Sequence, residues 1–228
     1  MTVLEPRKIP KQRRAHVTVD AIVDACAQIL AREPYETLTT NHISERAGVS
    51  IGTLYEYFPN RESIVAALAA RSFHRIVEAM TEAAGEAAHM EELAGVEHLL
   101  STGIETLASE RYVFKVLLRE APFVAGLPVV KEAREALTGL TQMIRVQAEP
   151  RMNLPAPEAD AWLISQMLYG AMQEVAFIDD PERRTFLMHE LARLVFRMAM
   201  GRDPGPPAKS EFASNSRTRH KDVQHAGR

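Results

Sequence analysis

A short stretch in the N-terminal third of the chain has the spacing of a catalytic serine motif. Gly48-Val49-Ser50-Ile51-Gly52 reads G-x-S-x-G, the pattern of the nucleophile elbow in α/β hydrolases. In such an elbow, the serine occupies a sharp turn between a strand and a helix, and its hydroxyl attacks a carbonyl. The structural elements on either side of Ser50 therefore decide whether this chain is an enzyme.

Those flanking elements are predicted to be helices. A two-turn helix begins after Thr39 and is stopped by Gly48, a residue typical of helix C-termini. The Ser50 side chain can accept a hydrogen bond from an amide two or three residues further along, which makes it the cap of a second short helix that Pro59 closes. Because no strand precedes Ser50, we interpret it as a helix cap. No catalytic residue is predicted, and the chain is not expected to be an enzyme.

Helical periodicity extends through most of the remaining chain. Two runs have apolar residues every three or four positions: Leu93, Val96, Leu100, Gly103 and Leu107, then Val130, Ala133, Leu137, Leu140 and Ile144. Thr18 is expected to cap the first helix, which ends by Glu33 because Pro34 follows. Asp180 and Pro181 begin the last helix. Sustained period-two alternation is absent, so the prediction is an all-α fold of about nine helices.

Two short helices joined by a tight glycine turn form a helix-turn-helix, whose second helix enters the major groove of DNA. The residues expected inside this unit are Ile43, Ala47, Val49, Leu54 and Phe58. Those expected to face outward are Thr53, Tyr55, Glu56 and Tyr57. The second helix has no Arg or Asn, the usual readers of guanine and adenine. Base readout is therefore expected from Thr53, Tyr55 and contacts with thymine methyl groups, or from DNA shape.

Charge is distributed unevenly along the 228 residues. Residues 1–16 have five Lys or Arg against one Glu, residues 76–200 have 11 against 19 acidic residues, and residues 201–228 have six against three. A basic arm suits a polyanion, whereas the acidic body does not resemble a nucleic-acid surface. On net charge alone, the body favours a cationic or neutral small molecule over an anionic one. The histidines have no ligand spacing, so neither a metal site nor a cofactor is predicted.

The segment LTTNHISERAGVSIGTLYEYFPNRESIV resembles the DNA-binding domain of the TetR family of bacterial transcriptional regulators. The resemblance runs from about Arg14 to Leu68 and includes T-T before the second helix, A-G-V-S in the turn and G-T-L-Y in the recognition helix. Arg61 stands where the family usually has Lys, and Ser44 stands where Ala is common.

The resemblance implies phosphate contacts from Thr40 and its neighbours, and groove contacts from the start of the recognition helix. The implied DNA-binding residues are Thr39, Thr40, Asn41, Ser50, Ile51, Gly52, Thr53, Tyr55, Tyr57 and Arg61, to which we add Arg14 from the basic arm. The basic arm residues Arg7, Lys8, Lys11, Arg13 and Arg14 could contact the minor groove or backbone, or could be only a solubilising tail.

The resemblance further implies a C-terminal helical domain that binds a small-molecule effector and forms a homodimer. A stripe of Met, aromatic and glutamine residues could line an effector pocket or could be ordinary core: Phe114, Phe123, Met143, Trp162, Gln166, Met167, Tyr169 and Gln173. Gln166, Gln173 and Glu174 interrupt the most apolar helix, and could face the pocket, solvent or a partner subunit. The last two helices, about 157–178 and 181–200, are expected to form the dimer interface.

The predicted organisation follows from these observations. It comprises a basic flexible arm (1–16), a DNA-binding domain (17–62, with the helix-turn-helix at about 39–58), an effector-binding and dimerisation domain (63–200) and a disordered tail (201–228). The expected function is a cytoplasmic repressor released from a palindromic double-stranded DNA operator by an effector, with no membrane partner. The alternatives are an effector-independent repressor or an activator of the same fold, and a helical small-molecule carrier or enzyme.

Overall fold

The computed structural model describes residues 4, 6–8, 12–148, 151–154 and 156–205. Within them, the chain forms helices and no strands, which confirms the predicted all-α fold. The nine α-helices of this part are α1 (Arg13–Leu30), α2 (Thr40–Ala47), α3 (Ile51–Tyr57), α4 (Arg61–Ala87), α5 (Glu92–Ser109), α6 (Arg111–Lys115), α7 (Pro128–Ala148), α8 (Pro157–Ala176) and α9 (Pro181–Met200). Tyr35–Thr37 and Pro122–Gly126 are 3-10 turns, and Val116–Glu120 is a π-helical turn.

Helix α1 begins earlier than the sequence predicted. Its N-cap is Gln12, and the Thr18 hydroxyl lies inside the helix, where it donates to the Arg14 carbonyl at 3.0 Å. The expected cap at Thr18 is therefore wrong, because the arginine-rich segment before it is itself a good helix former. The helix ends at Leu30, and Pro34 starts a separate 3-10 turn.

The N-terminal unit has a tightly closed core. Helices α1, α2, α3 and the first half of α4 pack together around side chains that have no exposed surface: Ile22, Cys26, Leu38, Ile43, Leu54, Phe58, Ile64, Val65 and Leu68. Burial raises the pKa of the Cys26 thiol to about 12. The thiol therefore stays protonated at neutral pH and acts as a small apolar core group.

Three helices of this unit have side-chain N-caps. The Thr39 hydroxyl accepts from the His42 amide at 3.1 Å, and the Ser50 hydroxyl accepts from the Thr53 amide at 3.0 Å. The Asn60 side chain accepts from the amide of Ser63 at 2.8 Å. The sequence predicted the Ser50 cap and the start of α2 after Thr39, and each of the three caps satisfies an amide that would otherwise lack a partner in the first helical turn.

The body is built from α4 to α9. Helix α4 extends from the N-terminal unit into the body, where it packs on α5 and α7. Helix α5 also contacts α8 and α9, and α7 contacts α8. The 3-10 turn Pro122–Gly126 separates the π-helical turn from α7.

The first residues of the predicted tail pack on the body. The Arg193 side chain donates to the Gly205 carbonyl and lies 3.7 Å from the Asp203 carboxylate, and Arg202 pairs with Glu92. Residues 201–205 therefore belong to the folded body. The rest of the predicted tail, and arm residues 1–3, 5 and 9–11, lie outside the described residues. In the described part, we find no helix with the length and apolarity to cross a bilayer.

Candidate DNA interface and ligand cavity

The turn between α2 and α3 depends on Gly48. Its φ of 68° lies in the left-handed region, and its amide donates to the Glu45 carbonyl at 3.2 Å. Residues with a Cβ rarely adopt this backbone conformation, so a glycine here ends α2 and turns the chain into α3. The result is the predicted helix-turn-helix, with the N-terminus of α3 exposed at Ile51 and Gly52.

Hydroxyl groups cluster on the exposed side of this unit. The Thr40 hydroxyl, at the start of α2, lies 3.0 Å from the Tyr55 hydroxyl of α3. The Ser50 and Thr53 hydroxyls lie 2.8 Å apart at the start of α3. A hydroxyl has one donor and two acceptor positions, so the Thr40–Tyr55 pair retains a donor for a further partner such as a phosphate oxygen.

Tyr57 does not face outward as predicted. Only 7% of its surface is exposed, and its ring packs in the core of the N-terminal unit. Adjacent residues of a helix are about 100° apart, so Tyr55 and Tyr57 point to opposite sides of α3. Tyr57 is three residues after the buried Leu54, and this spacing was the signal for its burial.

Arg61 has partners within the protein. Its guanidinium donates to the Leu38 carbonyl at 2.7 Å and to the Glu62 carboxylate at 3.0 Å, and it lies 4.9 Å from the centre of the Tyr35 ring. The hydrogen bond with Glu62 raises the pKa of Arg61 above its ordinary value. Arg61 thus links the segment before α2 to the start of α4. Its contact with a DNA phosphate stays a prediction.

Arg7 has a role that the sequence did not reveal. Its amide donates to the Tyr57 carbonyl at 2.7 Å, and its guanidinium donates to the Tyr55 carbonyl at 3.3 Å. Lys8 lies 5.9 Å from the centre of the Tyr57 ring. A cation at these carbonyls stabilises the C-terminal end of α3. The Arg7–Tyr55 contact joins residues 48 positions apart, and no local sequence signal marks it.

The other predicted DNA-binding residues lie on the same unit. Thr39 is the cap of α2, Asn41 is exposed in its first turn, and Arg14 lies in the first turn of α1. Arg13 is the first residue of α1, and Lys11 lies outside the described residues.

A cavity of about 190 Å³ lies inside the body. Its walls come mainly from α4, α5, α7, α8 and α9. The lining includes Phe73, Ile76, Met80, Leu100, Gly103, Phe114, Leu118, Arg134, Leu137, Thr138, Leu140, Thr141, Ile144, Arg145, Met152, Leu154, Gln166, Tyr169, Met172, Gln173, Ala199 and Met200. Four predicted pocket residues are among them: Phe114, Gln166, Tyr169 and Gln173.

The other four predicted pocket residues do not line the cavity. Met143, Trp162 and Met167 are 48%, 51% and 57% exposed on the outside of the body. Phe123 packs on Tyr35, with ring centres 6.3 Å apart. Most of the circumference of α8 is apolar, so its sequence alone could not show which side faces the cavity.

The structure also separates the polar residues of α8. Gln166 and Gln173 line the cavity, whereas Glu174 faces outward and accepts from Arg119 at 2.6 Å. The polar residues that α7 contributes to the lining were not predicted from the sequence: Arg134, Thr138, Thr141 and Arg145. Their 4-3-4 spacing places them on one face of a helix, and this spacing was an available signal. Within the described residues, no group of His, Cys, Asp and Glu could hold a metal ion.

Comparisons with known proteins agree with this architecture. The family described as "Bacterial regulatory proteins, tetR family" matches residues 22–68. The chain is 27% identical over 158 residues to the fatty acid metabolism regulator protein of Bacillus subtilis, covering 67% of this chain and 78% of that protein. It is also 38% identical over 55 residues to the transcriptional repressor KstR of Rhodococcus jostii, a match that spans about a quarter of each protein, 24% and 26%.

Solved structures share the fold. The fatty acid degradation regulator FadR of Bacillus halodurans superposes with a TM-score of 0.64 at 22% identity, covering 81% of this chain and 96% of that one. FadR of Bacillus subtilis in complex with stearoyl-CoA gives a TM-score of 0.63 at 20% identity, covering 77% and 96%.

An N-terminal helix-turn-helix joined to a helical body with an internal apolar cavity defines a DNA-binding transcriptional regulator. The match over residues 22–68 confirms the resemblance of this segment to the DNA-binding domain of the TetR family of bacterial transcriptional regulators. Regulators of this family bind DNA operators and small-molecule effectors, and they are dimers.

Proposed function

We propose that this protein is a homodimeric repressor that leaves a near-palindromic operator when an apolar small molecule occupies the cavity. The observation that carries the proposal is the course of α4. Its first half supplies Ile64, Val65 and Leu68 to the core of the DNA-binding unit, and its second half supplies Phe73, Ile76 and Met80 to the cavity wall. One continuous helix thus belongs to both sites, so a change in the cavity wall can shift the DNA-binding unit.

For DNA recognition we propose the hydroxyl cluster and the exposed start of α3. Thr40 and Tyr55 would hold a phosphate, and Thr53 with Ile51 would meet base edges in the major groove. We divide the chain for this purpose as the sequence suggested, into a DNA-binding domain (17–62) and an effector-binding and dimerisation domain (63–200) that share α4.

We propose that the effector includes an extended apolar chain. The cavity is long enough for an extended chain. The residues of α7 that line it run from Arg134 to Arg145, a distance of about 16 Å along the helix at 1.5 Å per residue. Nearly all other lining side chains are apolar, which suits a hydrocarbon chain. The similarity to the fatty acid metabolism regulator, and to a structure that contains stearoyl-CoA, supports the same ligand class.

For the dimer we propose an isologous interface of α8 and α9. Large apolar side chains on these two helices are exposed: Trp162, Leu163, Met167, Phe186, Leu194 and Met198. Such an apolar surface is typical of a permanent contact between subunits. Two recognition helices would then meet successive major grooves, about 34–36 Å apart.

The test is fluorescence anisotropy with DNA from upstream of the protein's own gene, against a scrambled duplex, at two salt concentrations. We expect tight binding to the upstream DNA alone, weakened steeply by salt because phosphate contacts release counterions. Addition of an apolar-chain ligand should release the DNA. Absence of binding to any genomic fragment would contradict the regulatory function and favour a helical carrier or enzyme.

A further inference from the structure

We propose that the cavity takes an amphipathic ligand with an anionic head, and that Arg134 binds this head at the mouth between α7 and α8. Lys131 would contact any additional phosphate outside the mouth. The apolar chain would run along α7 toward Met152 and Met200. This inference rests on the proposed function and adds the chemistry and orientation of the ligand.

The lining of the cavity differs in charge from the body around it. Residues 76–200 include 19 acidic residues against 11 basic ones. Among the described residues, no Asp or Glu lines the cavity, whereas Arg134 and Arg145 do. A cationic head would therefore meet two like charges and no carboxylate from this part of the chain, so the local charge outweighs the net charge of the body. The preference for a cationic or neutral effector that net charge suggested is therefore reversed.

Arg134 lies where the cavity meets the surface. It lines the cavity and also a second, more open groove, which is formed by residues 125–128, Val130 and Lys131. Its guanidinium lies 5.3 Å from the centre of the Tyr169 ring, across the gap between α7 and α8. The aromatic ring orients the guanidinium at the mouth without neutralising its charge.

Arg134 also has unused binding capacity. In the part of the chain that the structure describes, no carboxylate lies within ion-pair distance of it. Arg145, at the other end of the polar face of α7, is half-buried and donates to the Gln142 side chain at 3.0 Å. Arg134 is therefore the better candidate for an ionic contact with a ligand, and a guanidinium binds carboxylate and phosphate oxygens in pairs.

A second polar group of the lining lies on α8, near the ring that Arg134 contacts. Gln173 is one turn after Tyr169 on α8 and lines the cavity, and its side-chain amide has no hydrogen-bond partner among the described residues. It can donate to a carboxylate or thioester oxygen held at the mouth. Beyond this point the lining turns to Leu137, Leu140 and Ile144, which suits the apolar chain.

The experiment measures operator release and direct calorimetric binding with three probes of equal chain length: hexadecanoate, hexadecanoyl-CoA and hexadecanol. We expect both anionic probes to bind wild-type protein at least about tenfold more tightly than the alcohol, as charge-assisted hydrogen bonds allow. Arg134→Ala should weaken the anionic probes about tenfold and leave hexadecanol unchanged. Arg134→Lys should restore part of the loss.

The matched control is Lys115→Ala, which removes an exposed cation of α6 that lines neither the cavity nor the groove. Lys131→Ala distinguishes a carboxylate head from a CoA head. It should weaken the binding of hexadecanoyl-CoA, whose phosphates would lie outside the mouth, and leave the binding of hexadecanoate unchanged. Hexadecanol binding as tightly as the anionic probes, or Arg134→Ala acting no more strongly than Lys115→Ala, would overturn the inference. If none of the probes releases the operator from wild-type protein, the proposed function itself fails.

Discussion

The DNA-binding unit and the helical body bury their apolar side chains to different extents. Leu38, Ile43 and Leu54 of the DNA-binding unit are completely buried. The body instead encloses a cavity of about 190 Å³ and leaves Trp162 and Met167 more than half exposed. A protein interior normally packs as densely as an organic crystal. The DNA-binding unit is therefore complete in one chain, whereas the body has surfaces that a ligand and a second subunit can cover.

The helices with side-chain caps are concentrated around the helix-turn-helix. The Thr39, Ser50 and Asn60 side chains cap α2, α3 and α4, and Asp180 caps α9, whereas α1, α5 and α8 have no side-chain cap. Local interactions thus fix the boundaries of the helix-turn-helix, while α5 and α8 depend on tertiary packing. We therefore expect the body to change conformation more readily than the helix-turn-helix.

The largest expected effect comes from a core truncation in each region. Leu54→Ala should lower the free energy of unfolding of the DNA-binding unit by about 2–5 kcal/mol, because it leaves a void in a closed core. Leu137→Ala removes the same atoms from a side chain that already borders the cavity, so we expect a loss of about 1 kcal/mol. Chemical denaturation followed by circular dichroism measures both. Equal losses would contradict the difference in packing.

The second prediction concerns Gly103, which lines the cavity on α5. A Cβ at this position would overlap the methyl group of Met172 and lie 2.9 Å from the Met80 sulfur. Gly103→Ala should push these flexible side chains into the cavity and weaken binding of hexadecanoyl-CoA about tenfold, roughly 1.4 kcal/mol, with operator affinity unchanged.

Gly139 in α7 supplies the matched control, because a Cβ there would meet no atom within 4 Å. Gly139→Ala should leave ligand affinity unchanged and raise stability by about 0.5–1 kcal/mol, as expected for alanine in a helix interior. Calorimetry of both variants against the same ligand decides the matter. Similar ligand affinities for the two variants would show that the Gly103 region does not bound the binding site.

The third prediction tests the hydroxyl pair of the DNA interface. Tyr55→Phe removes the hydroxyl that lies 3.0 Å from Thr40, and should weaken operator binding about fivefold, roughly 1 kcal/mol, with little change in melting temperature. Tyr112→Phe removes the hydroxyl of an exposed tyrosine of α6 and should have no effect on DNA binding. Anisotropy titrations at fixed salt measure both, and equal affinities would remove Tyr55 from the interface.

The smallest expected effect lies at the junction of the two regions. Glu120 accepts a hydrogen bond from the Tyr35 amide at 3.2 Å, while Leu118, two residues earlier in the same π-helical turn, lines the cavity. Bound ligand weakens operator binding by a certain factor, and Glu120→Ala should reduce that factor about threefold. A reduction of this size is within the range found for single residues that couple two sites. Glu120→Gln keeps an acceptor oxygen and should retain the factor. If ligand weakens operator binding by the same factor in both variants as in the wild-type protein, the Glu120–Tyr35 contact does not couple the two sites.

The sequence allowed most of the DNA-binding unit to be predicted. Its helix boundaries depend on residues whose effects are local, such as Thr39, Gly48, Ser50 and Asn60. The Thr18 cap and the outward position of Tyr57 were the exceptions; for Tyr57, the expected contact with DNA was given more weight than its spacing from Leu54. The contacts of Arg7 could not have been predicted, since one of its partners, Tyr55, is 48 positions away.

The cavity was harder to predict, because its walls come from five helices that are far apart in sequence. Gln166 and Gln173 were identified as lining residues, because a polar side chain in an apolar helix is costly to bury unless it has a binding partner. Trp162 and Met167 were not distinguished from lining residues, because α8 offers an apolar surface on two sides. The arrangement of α8 against α7 decides between these sides, and it is a tertiary property.

The most direct test of the account is the reciprocity of the two binding events. The affinity of hexadecanoyl-CoA should be measured by calorimetry with and without saturating operator DNA, and the affinity of the operator with and without saturating ligand. If the cavity and the DNA interface act on the same conformational equilibrium, bound DNA must lower the affinity for the ligand by the same factor by which bound ligand lowers the affinity for DNA. We expect this factor to be at least about fivefold. A ligand affinity that is the same with and without DNA would contradict the central claim that occupancy of the cavity controls binding to the operator.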